Sequence, residues 1–155
     1  MNAEQRRFGL DTNVLIHAVE AGGADRTQRA ERIVRRAVAT RRCILTVQNI
    51  GEFYADCVRK RHASPSAAAV RAAGFGDLFA TTAAGMDEVR AALVEAAAGR
   101  FSYWDALLLV TLGRAGCSVL LSGDMADGAG LAGVTVRDPF AGGDVTEEID
   151  ALLAA

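Results

Sequence analysis

Short apolar runs alternate along this chain with longer stretches of helical periodicity. Runs at 8–10, 43–46, 79–84, 118–121 and 134–136 predict strands, the last of them at a sheet edge. Helical patterns cover 12–19, 26–40, 47–61, 86–98, 102–115 and 145–153, and Ser64-Pro65 is the start signal of a further helix. This alternation predicts an α/β fold with a mostly parallel central sheet of four to five strands and helices on both faces.

Length and composition indicate one globular domain. The chain has 155 residues, 51% hydrophobic and 23% charged, so we expect a single domain over 1–155 with a core of its own. The longest apolar stretch, Ala106 to Leu112, is too short to cross a bilayer, and the polar N-terminus has no signal-peptide pattern, so no membrane association is expected. Cys43, Cys57 and Cys117 are odd in number and form no CxxC pair, which favours a reducing cytoplasm.

The charge balance excludes a globally basic nucleic-acid binder but leaves room for a local patch. The net charge is −2, yet seven arginines lie between Arg26 and Arg42. Arg29, Arg32 and Arg36 recur at helical spacing and would share one helix face. Two interpretations remain open at this point. The face is either simply solvated, or it is a surface for phosphates or for an acidic protein partner.

Four acidic residues follow or flank the predicted strands. Asp11 comes directly after the first strand, Asp124 follows the 118–121 strand, and Glu52 lies early in the helix that leaves the second strand. Because ligands of open α/β sheets bind at the carboxyl ends of the strands, these three acids are expected to converge. Asp105, in the first turn of the helix that opens at Ser102, joins them only if the tertiary fold brings it there.

Each acid also has an ordinary structural interpretation. Asp11 suits a helix N-cap, Ser102 and Asp105 suit a capping box, Asp124 suits a turn and Glu52 suits an exposed helix position. Taken together they would repel one another unless a cation lay between them. Carboxylate oxygens are the ligands that Mg²⁺ or Mn²⁺ prefers. His17 and His62 are isolated and are expected to be surface or packing residues.

The same residues fall in motifs that resemble those of PIN-domain ribonucleases. The resemblance covers about 8–140, leaving 141–155 as a short tail or helix, and rests on four acidic motifs in order. These are Phe8-Gly-Leu-Asp11-Thr-Asn-Val14, Val47-Gln-Asn-Ile-Gly-Glu52-Phe-Tyr54 followed by Arg59-Lys60, Ser102-Tyr-Trp-Asp105-Ala-Leu107 and Leu120-Leu-Ser-Gly-Asp124-Met-Ala-Asp-Gly128. Gly133-Val-Thr-Val136 and Asp138-Pro-Phe140 complete the C-terminal signature. Small single-domain proteins of this kind are mostly VapC-type toxins of bacterial toxin–antitoxin operons. The chain departs from the family at Gly123, where relatives often carry an acid, and at Asp138, where asparagine is common.

The resemblance implies roles for individual residues. Asp11, Glu52, Asp105 and Asp124 would be the catalytic, metal-binding acids, and Thr12, Asn13 and Ser122 would support them. Asp127 is a candidate auxiliary acid, although Asp127-Gly128 is better interpreted as a turn. The implied fold is a three-layer PIN-like domain, and the implied cofactor is one or two Mg²⁺ or Mn²⁺ ions.

The implied activity is endonucleolytic cleavage of structured RNA, such as tRNA or rRNA loops, by water attack on a phosphodiester. The implied partners are a cognate antitoxin, whose C-terminal segment would cover the acidic pocket, the RNA substrate and a second copy of the chain. Two alternatives stay open: a PIN-domain nuclease of RNA processing without an antitoxin, and a non-catalytic PIN-like module that binds RNA or protein. Gly128-Ala-Gly-Leu-Ala-Gly133 satisfies GxGxxG, but too little chain follows it for a dinucleotide-binding unit.

Overall fold

One mixed sheet organises the molecule. The computed structural model describes residue 2, residues 5–142 and residues 144–154, so the predicted domain over 1–155 extends beyond the described residues at both ends. Six strands within these ranges are ordered β3-β2-β1-β4-β6-β5, and their bounds are β1 Arg7–Leu10, β2 Cys43–Thr46, β3 Ala80–Thr82, β4 Cys117–Leu121, β5 Gly130–Leu131 and β6 Val134–Arg137. All neighbouring pairs are parallel except β5 with β6.

Seven helices complete the described part of the chain, with bounds α1 Thr12–Val19, α2 Asp25–Thr40, α3 Val47–Arg59, α4 Pro65–Leu78, α5 Met86–Ala97, α6 Tyr103–Arg114 and α7 Asp144–Leu152. Local capping explains where several of them begin. Ser64 Oγ accepts a hydrogen bond from the N–H of Ala67, and Pro65 occupies the first turn of α4. The α/β class and the mostly parallel sheet are confirmed.

The expected strand number and the expected sheet edge were wrong. The described residues form six strands, because Gly130–Leu131 turns back antiparallel onto β6. Ala132 and Gly133 both have positive φ, 54° and 78°, as a two-residue hairpin turn requires. Because β5 occupies the edge, Val134–Arg137 lies between β4 and β5 and not at the edge. The glycine-rich segment therefore forms a hairpin and opens no helix.

Apolar side chains pack on both faces of the sheet. Leu10, Leu45 and Leu121 belong to one buried cluster, which also contains residues of α1, α2, α3, α4 and α7. The cluster on the opposite face contains Ile44, Leu120 and three leucines of α6, Leu108, Leu109 and Leu112. Strand residues therefore alternate between two covered faces, as in layered α/β folds.

Helix α7 covers much of the arginine-rich face of α2. Arg36 Nη1 lies 2.6 Å from Asp150 Oδ1, and Arg29 Nη2 donates to Thr146 Oγ1 at 3.2 Å. Arg42 donates to the backbone carbonyl oxygens of Leu152 and Ala154 at 2.7 and 2.8 Å. The face is therefore not simply solvated, because two of its arginines, Arg29 and Arg36, bind residues of α7.

The three cysteines are buried and unpaired. Burial is the main cause that raises the pKa of each thiol, to about 12 for Cys117, so these thiols are uncharged at neutral pH. None of the helices in the described ranges combines the length and the apolar character that crossing a lipid bilayer requires.

Candidate functional site

The site lies where the chain changes direction across the sheet. From β1 the chain passes to β2 on one side, and it returns later to β4 on the other side. The carboxyl ends of β1 and β4 therefore flank a topological switch point, which is where open α/β sheets bind ligands. The backbone N–H of Asp11 donates to the carbonyl oxygen of Leu121 at 2.9 Å, so the residues that follow the two strands are held together.

Asp11 is the most constrained of the four predicted acids. Its Oδ1 accepts from the N–H of Thr12 at 2.7 Å, which makes it the N-cap of α1. Its Oδ2 accepts from Ser122 Oγ at 2.8 Å and from Asn13 Nδ2 at 3.2 Å. The structural interpretation of Asp11 as a cap is therefore confirmed, and the same carboxylate remains one wall of a cavity.

Ser122 and Asn13 form a polar support beneath that carboxylate. Ser122 is fully buried, and its Oγ also accepts from the N–H groups of Asp124 and Met125 at 3.3 and 3.2 Å. Asn13 Oδ1 accepts from the N–H of Gly123 at 3.0 Å. These bonds tie the loop after β4 to the start of α1, so Asp124 and Asp11 are positioned by one network.

Glu52 reaches the site from α3. Thr46 caps this helix by accepting from the N–H of Asn49 at 3.1 Å, and the buried Asn49 amide donates to the carbonyl oxygen of Leu10 at 2.8 Å. This bond joins the first turn of α3 to the end of β1. Glu52 Oε2 then accepts from Thr12 Oγ1 at 3.0 Å, and its Oε1 accepts from Gln48 Nε2 at 2.8 Å.

Asp105 enters from the opposite helical layer. Ser102 Oγ accepts from the N–H of Asp105 at 3.1 Å, so the predicted cap at the start of α6 is confirmed. This leaves the Asp105 side chain at the cavity. All four predicted acids, together with Thr12 and Asn13, line one cavity of about 610 Å³.

Electrostatics single out Asp11 among the acids. Burial raises the pKa of its carboxyl group to about 6, and the negative charges of Asp105 and Asp124 act in the same direction. The hydrogen bonds from Ser122 and Thr12 oppose this rise only in part. Asp11 thus carries its charge at neutral pH at a cost in free energy, which a bound cation would offset.

The donor set is suited to a hard divalent cation, although the acids do not already converge on one point. Their oxygens are the ligand type that Mg²⁺ and Mn²⁺ prefer. Within the described residues, however, no three histidine, cysteine, aspartate or glutamate side chains stand close enough to hold a metal ion. Glu52 and Asp124 are exposed, so rotation of these two side chains is the movement that would bring oxygens together around an ion.

Asp127 lies away from the cavity. Its Oδ1 accepts from the N–H of Asp138 at 3.0 Å, and its Oδ2 lies 3.6 Å from Arg137 Nη1. Asp127 and Gly128 form a turn. The turn interpretation is confirmed, and Asp127 does not line the acidic cavity.

The cavity also has a basic end, of which the second sequence motif included Arg59 and Lys60 but not His17 or Arg61. His17, Arg59, Lys60 and Arg61 line it together with the acids. The expectation that His17 is a packing residue is confirmed, since its ring lies edge-on to Phe140 with centroids 5.4 Å apart. It is not isolated, because it lines the cavity one helical turn after Asn13 and its Nδ1 lies 2.7 Å from Glu20 Oε2. Glu52, Ala55, Asp56 and Arg59 follow i, i+3, i+4, i+7 spacing, a signal for one shared helix face that was present in the sequence.

A second cavity, of about 530 Å³, holds none of the predicted acids. Glu88 and Arg114 line it and form an ion pair with each other. The backbone N–H of Gly85 donates to Glu88 Oε2 at 2.6 Å, and this bond is the main cause that lowers the pKa of Glu88. Its strongest charges are thus already compensated, so the acid-lined cavity is the better candidate for chemistry.

No protein-family model matches the chain, and no curated protein matches its sequence.

Proposed function

We propose that this protein is a divalent-metal-dependent endoribonuclease with a PIN-like fold. The observation that carries the proposal is that four carboxylates from four separate segments line one cavity at the switch point of the sheet. The resemblance of the four motifs to those of PIN-domain ribonucleases supplies the reaction class. The three-layer arrangement of helices and sheet is compatible with that family.

In this proposal Asp11, Glu52, Asp105 and Asp124 hold Mg²⁺ or Mn²⁺. A bound ion would neutralise charge on the scissile phosphate and lower the pKa of a water nucleophile. Ser122, Asn13 and Thr12 act through the acids, since their hydrogen bonds fix the carboxylate of Asp11 and reach Glu52. Burial raises the pKa of Asp11 to about 6, and a cation bound beside it would lower that pKa, so metal binding and proton release from Asp11 would be coupled.

The basic end of the cavity favours a polyanionic substrate over a small neutral one. Acidic and basic side chains line the same cavity, so a cation and a phosphate can be bound side by side. This arrangement matches phosphodiester hydrolysis, in which an anionic backbone must approach carboxylates that would otherwise repel it.

Family resemblance extends the proposal to biological role. We infer a toxin of a toxin–antitoxin pair that acts in the cytoplasm on tRNA or rRNA loops, pairs with a cognate antitoxin and forms a homodimer. A PIN-like nuclease of RNA processing and a non-catalytic binding module are the competing proposals. The presence of all four acids at the cavity favours catalysis over the binding module.

The test is cleavage of total RNA by the purified full chain. We expect cleavage with Mg²⁺ or Mn²⁺, its loss in chelator, and its loss in Asp105→Asn with the fold retained. Asp127→Asn is the matched control, because it changes an acid outside the cavity. Cleavage that persists in chelator would refute the metal role, and no cleavage by the wild type would favour the binding module.

A second experiment separates the toxin from a processing nuclease. Expression of the wild type is expected to arrest growth of the host, and Asp105→Asn is expected to be tolerated. Sequencing of RNA ends after brief expression then identifies the target. Equal growth with both forms, despite cleavage in vitro, would favour the processing enzyme.

A further inference from the structure

Among the residues that the structure describes, one cation at the basic end of the acidic cavity has no partner. Lys60 Nζ lies 2.8 Å from Asp56 Oδ1, and Arg61 pairs with Glu20 and lies 3.5 Å from Asp56 Oδ2. Arg59 lines the same cavity, is exposed, and forms no hydrogen bond or ion pair with the residues that the structure describes. The charges of Lys60 and Arg61 are locally compensated, whereas that of Arg59 is not.

The position of Arg59 relative to the acids is set by α3. Glu52 and Arg59 are seven residues apart on the face that lines the cavity, which separates their Cα atoms by about 10 Å along the helix axis. An anion bound at Arg59 therefore lies beside the acids without competing with a cation for their oxygens. A chain of regularly spaced phosphates can occupy both places at once, and a single small anion cannot.

The arginines between Arg26 and Arg42 are less available for this task. Arg29, Arg36 and Arg42 bind side-chain or backbone oxygens of the C-terminal segment, and the guanidinium carbon of Arg26 lies 4.7 Å from the ring centroid of Phe140. The arginine run that drew attention in the sequence thus holds the fold together to a large extent. The unpartnered cation at the cavity comes from α3.

We propose that the Arg59 guanidinium forms a subsite for a backbone phosphate of RNA, next to the phosphodiester that the acids act on. The subsite rests on the proposed nuclease function. Arg59 is here a substrate-binding and positioning residue, because guanidinium groups bind phosphate oxygens through paired N–H donors. Its contribution falls on binding and not on the chemical step.

The experiment measures binding of a fluorescein-labelled, single-stranded oligoribonucleotide to the full chain in chelator, over a range of salt concentrations. We expect Arg59→Gln to weaken binding about tenfold, the loss of one charge-assisted contact, and to reduce the slope of log K against log salt by about 0.7. Arg59→Lys should retain part of the affinity and the full slope, because it keeps the charge.

Two variants serve as controls. Arg90→Gln removes the same charge from α5, outside the cavity, and should leave affinity and slope unchanged. Lys60→Gln removes a cavity cation that is already paired and should weaken binding less than Arg59→Gln. Equal losses of affinity in Arg59→Gln and Lys60→Gln would show that binding depends only on the net charge of the cavity. That result would refute the Arg59 subsite.

The outcomes also separate this proposal from the proposed function. If the wild type cleaves total RNA with metal while Arg59→Gln binds the oligoribonucleotide like Arg90→Gln, the subsite is refuted and the nuclease stands. If the wild type binds no oligoribonucleotide, the subsite is refuted, and the cleavage assay decides the nuclease independently. Displacement of the oligoribonucleotide by inorganic phosphate at matched ionic strength should be stronger from wild type than from Arg59→Gln, and equal displacement from both would refute the subsite.

Discussion

Ser122 Oγ donates a 2.8 Å hydrogen bond to Asp11 Oδ2, across 111 positions of sequence. The hydroxyl belongs to the residue after β4, and the carboxylate belongs to the residue after β1. Ser122 is fully buried, so water cannot replace the bond if either partner is removed. This contact joins the two strand ends that create the candidate site.

Replacement of Ser122 by alanine is expected to destabilise the protein by about 1.5–3 kcal/mol, since it removes a buried hydrogen bond to a charged group. It also leaves the N–H groups of Asp124 and Met125 without their acceptor. Urea unfolding measures the change. Ser118→Ala, within β4, is the matched control: the Ser118 hydroxyl is buried without a hydrogen-bond partner among the described residues, so its removal should be neutral or stabilising. Equal losses for both variants would contradict the assigned role of Ser122.

The pKa of Asp11 predicts a pH-dependent stability. The folded protein raises this pKa from 3.8 to about 6, so the folded state binds the proton more tightly than the unfolded state. The contribution of Asp11 to the free energy of unfolding is therefore at its maximum, at most about 3 kcal/mol, below pH ~4. It is lost as the pH rises through ~6. Unfolding in chelator should show wild type losing stability relative to Asp11→Asn between pH ~4 and ~7.5. A constant difference over this range would show that Asp11 titrates normally.

Divalent metal is expected to reverse that loss. Mg²⁺ or Mn²⁺ should stabilise the wild type at neutral pH by about 3 kcal/mol at a hundredfold excess over the dissociation constant. The effect should be smaller below pH ~6, where Asp11 holds a proton. Thermal unfolding with and without metal measures it. Asp105→Asn should abolish the response and Asp127→Asn should keep it, whereas an equal response in both would place the ion elsewhere.

The ring of Phe140 leaves little room for a side chain at position 123. A Cβ on Gly123 would lie 2.8 Å from Phe140 Cδ2 and 3.4 Å from Asn13 Oδ1. We expect Gly123→Asp to destabilise the protein by about 1–3 kcal/mol through overpacking. In a double-mutant cycle, Phe140→Ala should relieve part of this cost, because it removes the ring that the new side chain meets. Strictly additive effects would show that the ring moves aside freely.

Arg42 is expected to stabilise the packing of the C-terminal segment. Its guanidinium donates to the carbonyl oxygens of Arg6, Leu152 and Ala154 at 2.7–2.8 Å. Arg42→Met should cost about 2–4 kcal/mol and raise hydrogen exchange in α7 above that of the sheet. Arg32→Met, at an exposed position of α2, should cost less than about 0.5 kcal/mol. Similar exchange in the two variants would refute the anchoring role.

Sequence patterns were reliable where local chemistry decides the structure. Ser64-Pro65 and Ser102 marked helix starts because capping needs only neighbouring residues. The run 43–46 is a buried strand, as its apolar composition predicted. The same patterns missed the two-residue strand β5, which is too short to carry a periodic signal and exists only through pairing with β6.

Local residue patterns were enough to predict the α/β alternation, the helix caps and the types of side chain available for the site. Which of these side chains meet depends on the long-range packing of strands and helices. Strand order carried Asp105 and Glu52 to the cavity that Asp11 and Asp124 share. The same packing pairs Arg29 and Arg36 of α2 with residues of α7 and places Arg59 at the cavity that the acids line. The reason is physical: side chains far apart in sequence interact only after long-range packing has closed the loops between them, and no local pattern encodes that closure.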